Sequence, residues 1–577
     1  MAESVTGGSS NPGQPPKEMS MEIRLLLAFI LMGAVMFLTP YFFKSTTPPA
    51  AKKTTAADQA APLVQTVQPA SAPEAATEAT PAATAEIPGA THQPLQPPFI
   101  VDTDFYRIVF SNQGATVRSW VLKKYKGNDG KPLDLVNAAS GLEFPFSLHF
   151  PAAQPTGKVN WAYFQQTPDP DGLGVLYEYS DGHTAVRKTF RFKKNSYLSE
   201  VTSDVKIDGK SVPNMLEWRG GFGDFTVANP AGQEKTGYFD VPANKLVEQT
   251  AKSAKGGPVT AAGSFSFGGV ADAYFCAAFL PGDNSTTSLV TFADTVPTPL
   301  EPKPLALTGV ALSDGDPNRF EIFVGPKDVN LLKSVNPKLE QVVDFGWISI
   351  LAKPLFLVVT WFNTAFVHNF GWAIVLITIA LNFILFPLRL TNMKSMRKMQ
   401  ALKPQIDEIN KKYKNVGLRD PKKAEQNQEV MDLYKKNGVN PMGGCLPMLI
   451  QIPFLFAFYR VFTVSVEMRG ASWLWVTDLS QPEHLPIKIL PIIMIASQFW
   501  MQKMTPQANV DPNQQRMMMF MPLIFGFMFY QFPSGLVLYY LTSNLVNIGQ
   551  QWFFNHTETA QAAARSVEPP RKKNGRK

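Results

Sequence analysis

Apolar residues in this chain are gathered at its two ends, with a patterned stretch between them. Leu25 to Phe43 is a run without a charge, long enough to cross a bilayer as a helix. From 99 to 326 the pattern changes to short alternating segments broken by turn residues. Tyr106-Arg107-Ile108-Val109-Phe110 leads through Asn112-Gln113-Gly114 into Thr116 to Leu122. The alternation returns at Thr189 to Phe192, Tyr274 to Leu280 and Arg319 to Val324. This is the signature of antiparallel strands, and it predicts one all-β domain large enough to bury its own core. Residues 44–98 are Ala, Pro, Thr and Gln with few large apolar side chains, which predicts an extended tether. After 326 the apolar runs return at Trp372 to Leu388, Cys445 to Val466, Ile487 to Met501, Met517 to Phe532 and Leu536 to Phe554. Together they predict a five-helix core over 371–555.

Charge orients these runs. The formal net charge is +8, and Lys and Arg crowd 389–436 and 565–577, which marks both segments as cytoplasmic. Lys17 and Arg24 place the polar extension 1–24 on the same side. The 25–43 run lacks a small-x-small cleavage pattern and reads as an uncleaved signal anchor. One anchor carries the β-domain out, so a single crossing must return the chain between Pro326 and Arg389. Trp372 to Leu388 takes it. Residues 327–370, interrupted by Lys338, Lys353-Pro354, Asn363 and His368-Asn369, are then an amphipathic element in the outer interface. The expected fold class is an α-helical polytopic membrane protein with six transmembrane helices, both termini inside, and an inserted all-β domain outside.

Within the spans, polar residues recur at helical spacing. Tyr540, Asn544, Asn547 and Gln551 share one face of the last run, widened by Tyr539, Ser543 and Gln550. Thr378 and Asn382 share a face in an earlier run, and Gln451 and Arg460 lie in the next. Such residues either bond neighbouring helices or line a water-exposed groove. Arg460 also has a third option, snorkelling toward the outer headgroups near Glu467. Two runs, Ile487 to Met501 and Met517 to Phe532, fall short of the ~20 residues that match a bilayer core.

Outside the spans, 392–436 predicts a helical hairpin, with Met396, Met399, Leu402, Ile406, Ile409 and Tyr413 at intervals of three or four. These residues either pack within the hairpin or form an exposed Met-rich arm. The basic tail 556–577 is a topology signal or a surface for ribosomal RNA or anionic lipid. Two cysteines, Cys276 and Cys445, give no disulfide framework, and no phosphate-binding, zinc-protease or nucleophile-elbow motif occurs. Neither an enzyme nor a metal or cofactor site is expected.

A series of motifs gives these features a family. Phe323-Val324-Gly325-Pro326-Lys327, Val343-Asp344-Phe345-Gly346-Trp347 and Lys353-Pro354-Leu355-Phe356 come first. Then follow Ser395-Met396-Arg397-Lys398-Met399-Gln400, Asn440-Pro441-Met442-Gly443-Gly444-Cys445-Leu446-Pro447, Gln451-Ile452-Pro453, and Phe532-Pro533-Ser534-Gly535-Leu536. In order and spacing they resemble the YidC-type membrane protein insertases, in the Gram-negative form with a large periplasmic domain. The resemblance implies a β-supersandwich for 99–326 and an inner-membrane location. It also implies insertion and chaperoning of client membrane proteins, alone or with the Sec translocon and its accessory subunits. Thr378, Asn382, Gln451, Arg460, Tyr539, Tyr540, Ser543, Asn544 and Asn547 would line the client groove, assisted by local thinning of the lipid bilayer. Met396, Met399, Leu402 and Ile406 would capture clients on the cytoplasmic side. One position departs from the family, which usually carries an arginine where this chain has Asn382.

Overall fold

The computed structural model describes residues 93–152, 155, 158–227, 234–282, 285–301, 303–413, 422–439, 446–504 and 512–567. The expected anchor 25–43, its flanking segments, residues 414–421 within the expected hairpin and the extreme tail lie outside these residues, as do the side chains of Met517 to Met519. The described chain falls into two compact units, one holding the hairpin within Lys394–Gly443 and the other nearly everything else.

Alternation of side chains builds the β-domain. Strands from Ile100–Asp102 to Asn318–Pro326 form antiparallel sheets of four, ten and five strands. Thr184–Phe192 shows the period of two plainly: Thr184, Val186, Lys188, Phe190 and Phe192 are buried while the residues between them are not. Trp120, Phe146, Phe190 and Trp218 pack ring against ring where the sheets face one another. A lysine in this interior needs an explanation. Lys188 Nζ donates to the carbonyls of Gly114 at 2.8 Å and Phe146 at 2.7 Å, and burial lowers its pKa to about 7.

The chain leaves the last strand through Lys327, whose buried Nζ donates to the carbonyl of Asp272 at 2.7 Å. Asp328 then caps helix α1 (Val329–Val335) by accepting from the Leu331 amide. Helix α2 (Ser349–Phe362) follows, extended at both ends by irregular turns into a helical stretch from Gly346 to Val367. By length and composition this stretch is sufficient to cross a membrane, with Ile350, Leu357, Trp361 and Phe366 exposed along it. The sequence had assigned the same segment to the interface.

Five further helices pack as a bundle: α3 (Phe370–Ile384), α7 (Leu446–Val464), α8 (Ile489–Met504), α9 (Pro512–Phe529) and α10 (Ser534–Val567). Between α3 and α7 come α4 (Phe386–Ala401), α5 (Lys403–Lys412) and α6 (Lys422–Lys436). The Trp372 to Leu388 run is not one straight rod, because α3 ends at a break and α4 leaves at 58°. Among the described residues only Gly346–Val367 is by itself long and apolar enough to cross a membrane, and the bent α3–α4 pair is so when its two helices are taken together. The helix α10 is 34 residues long, and the polar stripe described above lowers its hydropathy. Small residues let these helices approach: a Cβ on Gly526 would lie 2.3 Å from Ile495 of α8, and one on Gly535 would lie 2.6 Å from Phe462 of α7.

In the other unit, the apolar residues of the hairpin turn toward each other. Met399, Leu402 and Ile406 are buried with Tyr434 and Val439, and Met396 packs against this cluster. The Met396, Met399, Leu402 and Ile406 stripe, expected to capture clients, is therefore the hairpin's own interior.

Candidate functional site

A small, partly open cleft with polar and apolar walls lies where α3, α4, α7 and α10 meet. Its polar lining is Asn382, Arg389, Gln451, Tyr539 and Ser543, set among Leu381, Leu385, Leu388, Ile450 and Phe454. The side chains form a chain of hydrogen bonds across three helices. Gln451 Nε2 donates to Ser543 Oγ at 3.1 Å, Ser543 Oγ donates to Asn382 Oδ1 at 3.3 Å, and Asn382 Nδ2 returns to the Thr378 carbonyl at 2.8 Å. Gln550 Nε2 adds a contact to the Asn382 carbonyl at 3.4 Å. Each of these groups would be costly in hydrocarbon without a partner. The network fixes the cleft wall while leaving its face polar.

The stripe on α10 divides in two. Tyr539 and Ser543 reach the cleft, and Tyr539 stacks on Phe458 with ring centroids 4.2 Å apart. Asn544 turns the other way, donating to Ser497 Oγ of α8 at 3.1 Å, and is an interhelical tie. Asn547 lies buried behind Ser543, donating to its Oγ at 3.5 Å. Tyr540 packs on Phe529 of α9 at 4.8 Å. Thr378 is fully buried and donates to the Ile374 carbonyl at 2.6 Å. Tyr540, Asn544 and Asn547 are absent from the cleft wall, because a polar stripe wider than one helix contact must serve more than one neighbour, and Thr378 is absent because it turns back on its own helix α3.

Arg460 is not brought to the cleft. Its guanidinium meets Asp344, with Nη2 at 3.3 Å from the carboxylate and a further bond to the Asp344 carbonyl. Asp344 also receives Lys235 of the β-domain at 3.2 Å. Gly346 makes room for this arrangement: its φ is +69°, and a Cβ there would sit 3.3 Å from the Arg460 guanidinium. The Asp344-Phe345-Gly346 portion of the sequence motif is thus the seat of Arg460. A second fastening is more deeply buried. Arg469, in the loop after α7, pairs with Asp224 of the β-domain, donates to the Lys126 carbonyl at 3.0 Å and lies over the rings of Tyr274 and Phe275.

One lining residue, Arg389, had been counted from the sequence only with the basic residues that orient the chain; it enters the cleft from α4, beyond the 58° bend that separates it from Asn382.

Comparison with known proteins decides the family. Residues 99–358 match the YidC periplasmic domain family and 361–561 match the 60Kd inner membrane protein family. The membrane protein insertase YidC of Geotalea daltonii is 34% identical over 560 residues, covering 93% of this chain and 99% of that protein. The chain belongs to the YidC family of membrane protein insertases. The insertase of Wolinella succinogenes is 48% identical over 248 residues, or 43% of this chain and 45% of that protein. A solved structure titled as an active YidC insertase with its first transmembrane domain resolved is 21% identical, with a TM-score of 0.35, covering 79% of this chain and 94% of that one. A galactose mutarotase related enzyme from Lactobacillus acidophilus covers 39% of this chain and 97% of its own at 10% identity and a TM-score of 0.23. As a YidC-family protein the chain is an inner membrane protein with a sheet-rich periplasmic domain and a helical C-terminal part.

Proposed function

We propose that this chain inserts client membrane proteins and helps them fold, without enzymatic chemistry, by offering the polar cleft between α3, α7 and α10 as a hydrated site for a client's polar flank. The hydrogen-bonded wall of Asn382, Gln451 and Ser543 is the observation that carries this reading. A polar flank crossing pure hydrocarbon costs several kcal/mol per charged group. Amides and a hydroxyl held at the wall of a partly open cleft lower that cost by replacing water with fixed partners. Helix length supports the second part of the reading, local thinning. The helix α8 has 16 residues and so spans roughly 24 Å at 1.5 Å per residue, against a hydrocarbon core of ~30 Å. The apolar part of α9, Phe520–Phe529, is shorter still.

In the proposed topology the 25–43 anchor and the five bundle helices make six spans with both termini cytoplasmic, and Gly346–Val367 lies in the outer interface. Parity supports this, because a seventh crossing would move the basic 389–436 segment outside. The sheets are proposed to form a β-supersandwich. Cooperation with the Sec translocon, and binding of ribosome or anionic lipid by the basic tail, remain part of the same proposal.

The test is reconstitution of the purified full chain in liposomes with a single-span client and no nucleotide. Insertion above that of empty liposomes is expected, with Asn382→Leu impairing it more than Arg460→Leu. No insertion by the unmodified chain would overturn the reading.

A further inference from the structure

Where the β-domain meets the loop that follows α7, one buried acid has no counter-charge. Glu467 lies in the turn Val466–Met468, against the start of α1, where the Val329 amide donates to its carboxyl group. Its Oε2 is buried and meets no hydrogen-bond partner among the described residues. Such an oxygen is costly to keep dry as half of a carboxylate and far less so in a neutral carboxylic acid. The neighbouring acids are placed differently: Asp224 has Arg469, and Asp344 has both Arg460 and Lys235.

None of the titratable groups around Glu467 supplies the missing cation. From α1 the facing group is Asp328, a second acid, which caps that helix by accepting from the Leu331 amide. From the β-domain it is Tyr125, near the end of the strand Thr116–Lys126, whose phenol burial pushes up and keeps neutral. On the same loop Arg469 is two residues away, but it is committed to Asp224 and to the Lys126 carbonyl. Burial, reinforced by the charge of Asp328, raises the Glu467 pKa to about 7, against the pull of the Val329 amide and its own.

We propose that Glu467 is a pH-sensitive latch at the joint between the β-domain and the bundle. Protonated, it lets the turn after α7 seat against α1 and Tyr125. On losing its proton it draws water to the orphaned oxygen and loosens that contact. The sign follows from linkage: in the loosened joint the carboxyl is hydrated and titrates at its ordinary value of about 4, and in the seated joint it titrates at about 7. A carboxyl raised in the seated state contributes its full stabilisation below the ordinary value and loses it as pH climbs through the raised one. The joint is therefore tightest in an acidic periplasm and looser at neutral pH and above, while the Arg469 and Asp344 fastenings keep their charges and hold the two parts together.

The experiment measures hydrogen exchange by mass spectrometry on the full chain in lipid nanodiscs, following the amides of 328–332 and 465–469. The quantity compared is the ratio of protection, unmodified chain over Glu467→Gln, which cancels the intrinsic pH dependence of exchange and the titration of groups common to both chains. That ratio is expected to fall as pH rises from about 5 to 7, by up to about tenfold per pH unit, and to level off above. A ratio that stays flat overturns the proposal, because Glu467 then does not titrate in the joint. A ratio that rises with pH also overturns it, because the charged form would be the one that seats the turn. Asp328→Asn gives a second reading that does not need the Glu467 variant. It keeps a residue able to cap α1 but removes the facing charge, so the loss of protection should move to lower pH than in the unmodified chain. An unmoved profile in Asp328→Asn counts against the latch.

Discussion

The carboxylate of Asp344 stands 3.3 Å from Nη2 of Arg460 and 3.2 Å from Nζ of Lys235, so one acid ties helix α7 to the β-domain. Arg460 lies within an apolar helix, and sequence alone leaves open whether it faces a groove or snorkels. The structure gives it a partner, Asp344, beneath Gly346.

Replacing Asp344 with Asn should destabilise the protein modestly, by about 1 kcal/mol, because all three side chains are partly exposed and solvent screens the pairs. Burial acts to raise the Asp344 pKa, but Lys235 and Arg460 outweigh it, and the net shift is downward. A depressed carboxylate contributes stability above its unfolded pKa of about 4 and loses it as pH falls through the lower folded value. The gap between the unmodified protein and Asp344→Asn should therefore be constant near neutrality and close below about pH 4. Thermal unfolding in detergent across that range checks it.

Arg469→Met should be far more damaging. Its pair with Asp224 is buried on both sides, and the mutation leaves a buried carboxylate without its cation, held only by the amide and hydroxyl of Thr226. Breaking one side of such a pair costs about 3–5 kcal/mol. Adding Asp224→Asn should recover part of the loss, and a double-mutant cycle by chemical unfolding measures the coupling.

Glu234 gives the opposite pH dependence from Asp344. Burial raises its pKa to about 8, despite bonds from the Thr308 and Phe222 amides. A raised carboxyl contributes stability that is complete below its unfolded pKa and lost as pH climbs through the folded value. The stability of the unmodified protein relative to Glu234→Gln should thus fall between about pH 5 and 8, by on the order of 1 kcal/mol per pH unit. Unfolding monitored by tryptophan fluorescence at several pH values tests the sign.

The divided stripe on α10 predicts a division of phenotypes. Asn544→Leu removes the tie to Ser497 and should cost roughly 1 kcal/mol of bundle stability. Gln451→Leu strips an amide from the cleft wall and should slow client insertion at least several-fold for a smaller loss of stability. Measuring unfolding and liposome insertion on the same preparations separates the two. Equal effects of both variants on insertion would contradict the division.

The sequence by itself determined what depends on local period and composition. Alternation at Thr184 to Phe192 specifies a strand whether or not its neighbours are known, and the long apolar runs specify helices. The spacing of Asn544, Asn547 and Gln551 specifies one polar face, and Met399, Leu402 and Ile406 one apolar face. Tertiary structure decided which partner each face meets. Periodicity cannot distinguish Ser543, which reaches Asn382 and the cleft, from Asn544, which reaches Ser497, because adjacent positions on α10 point about 100° apart toward different helices. Nor can it show that Asp344 takes Arg460 while Arg389 lines the cleft. Pairing of charges depends on which residues distant in the chain come within a few ångströms, and that is fixed by packing.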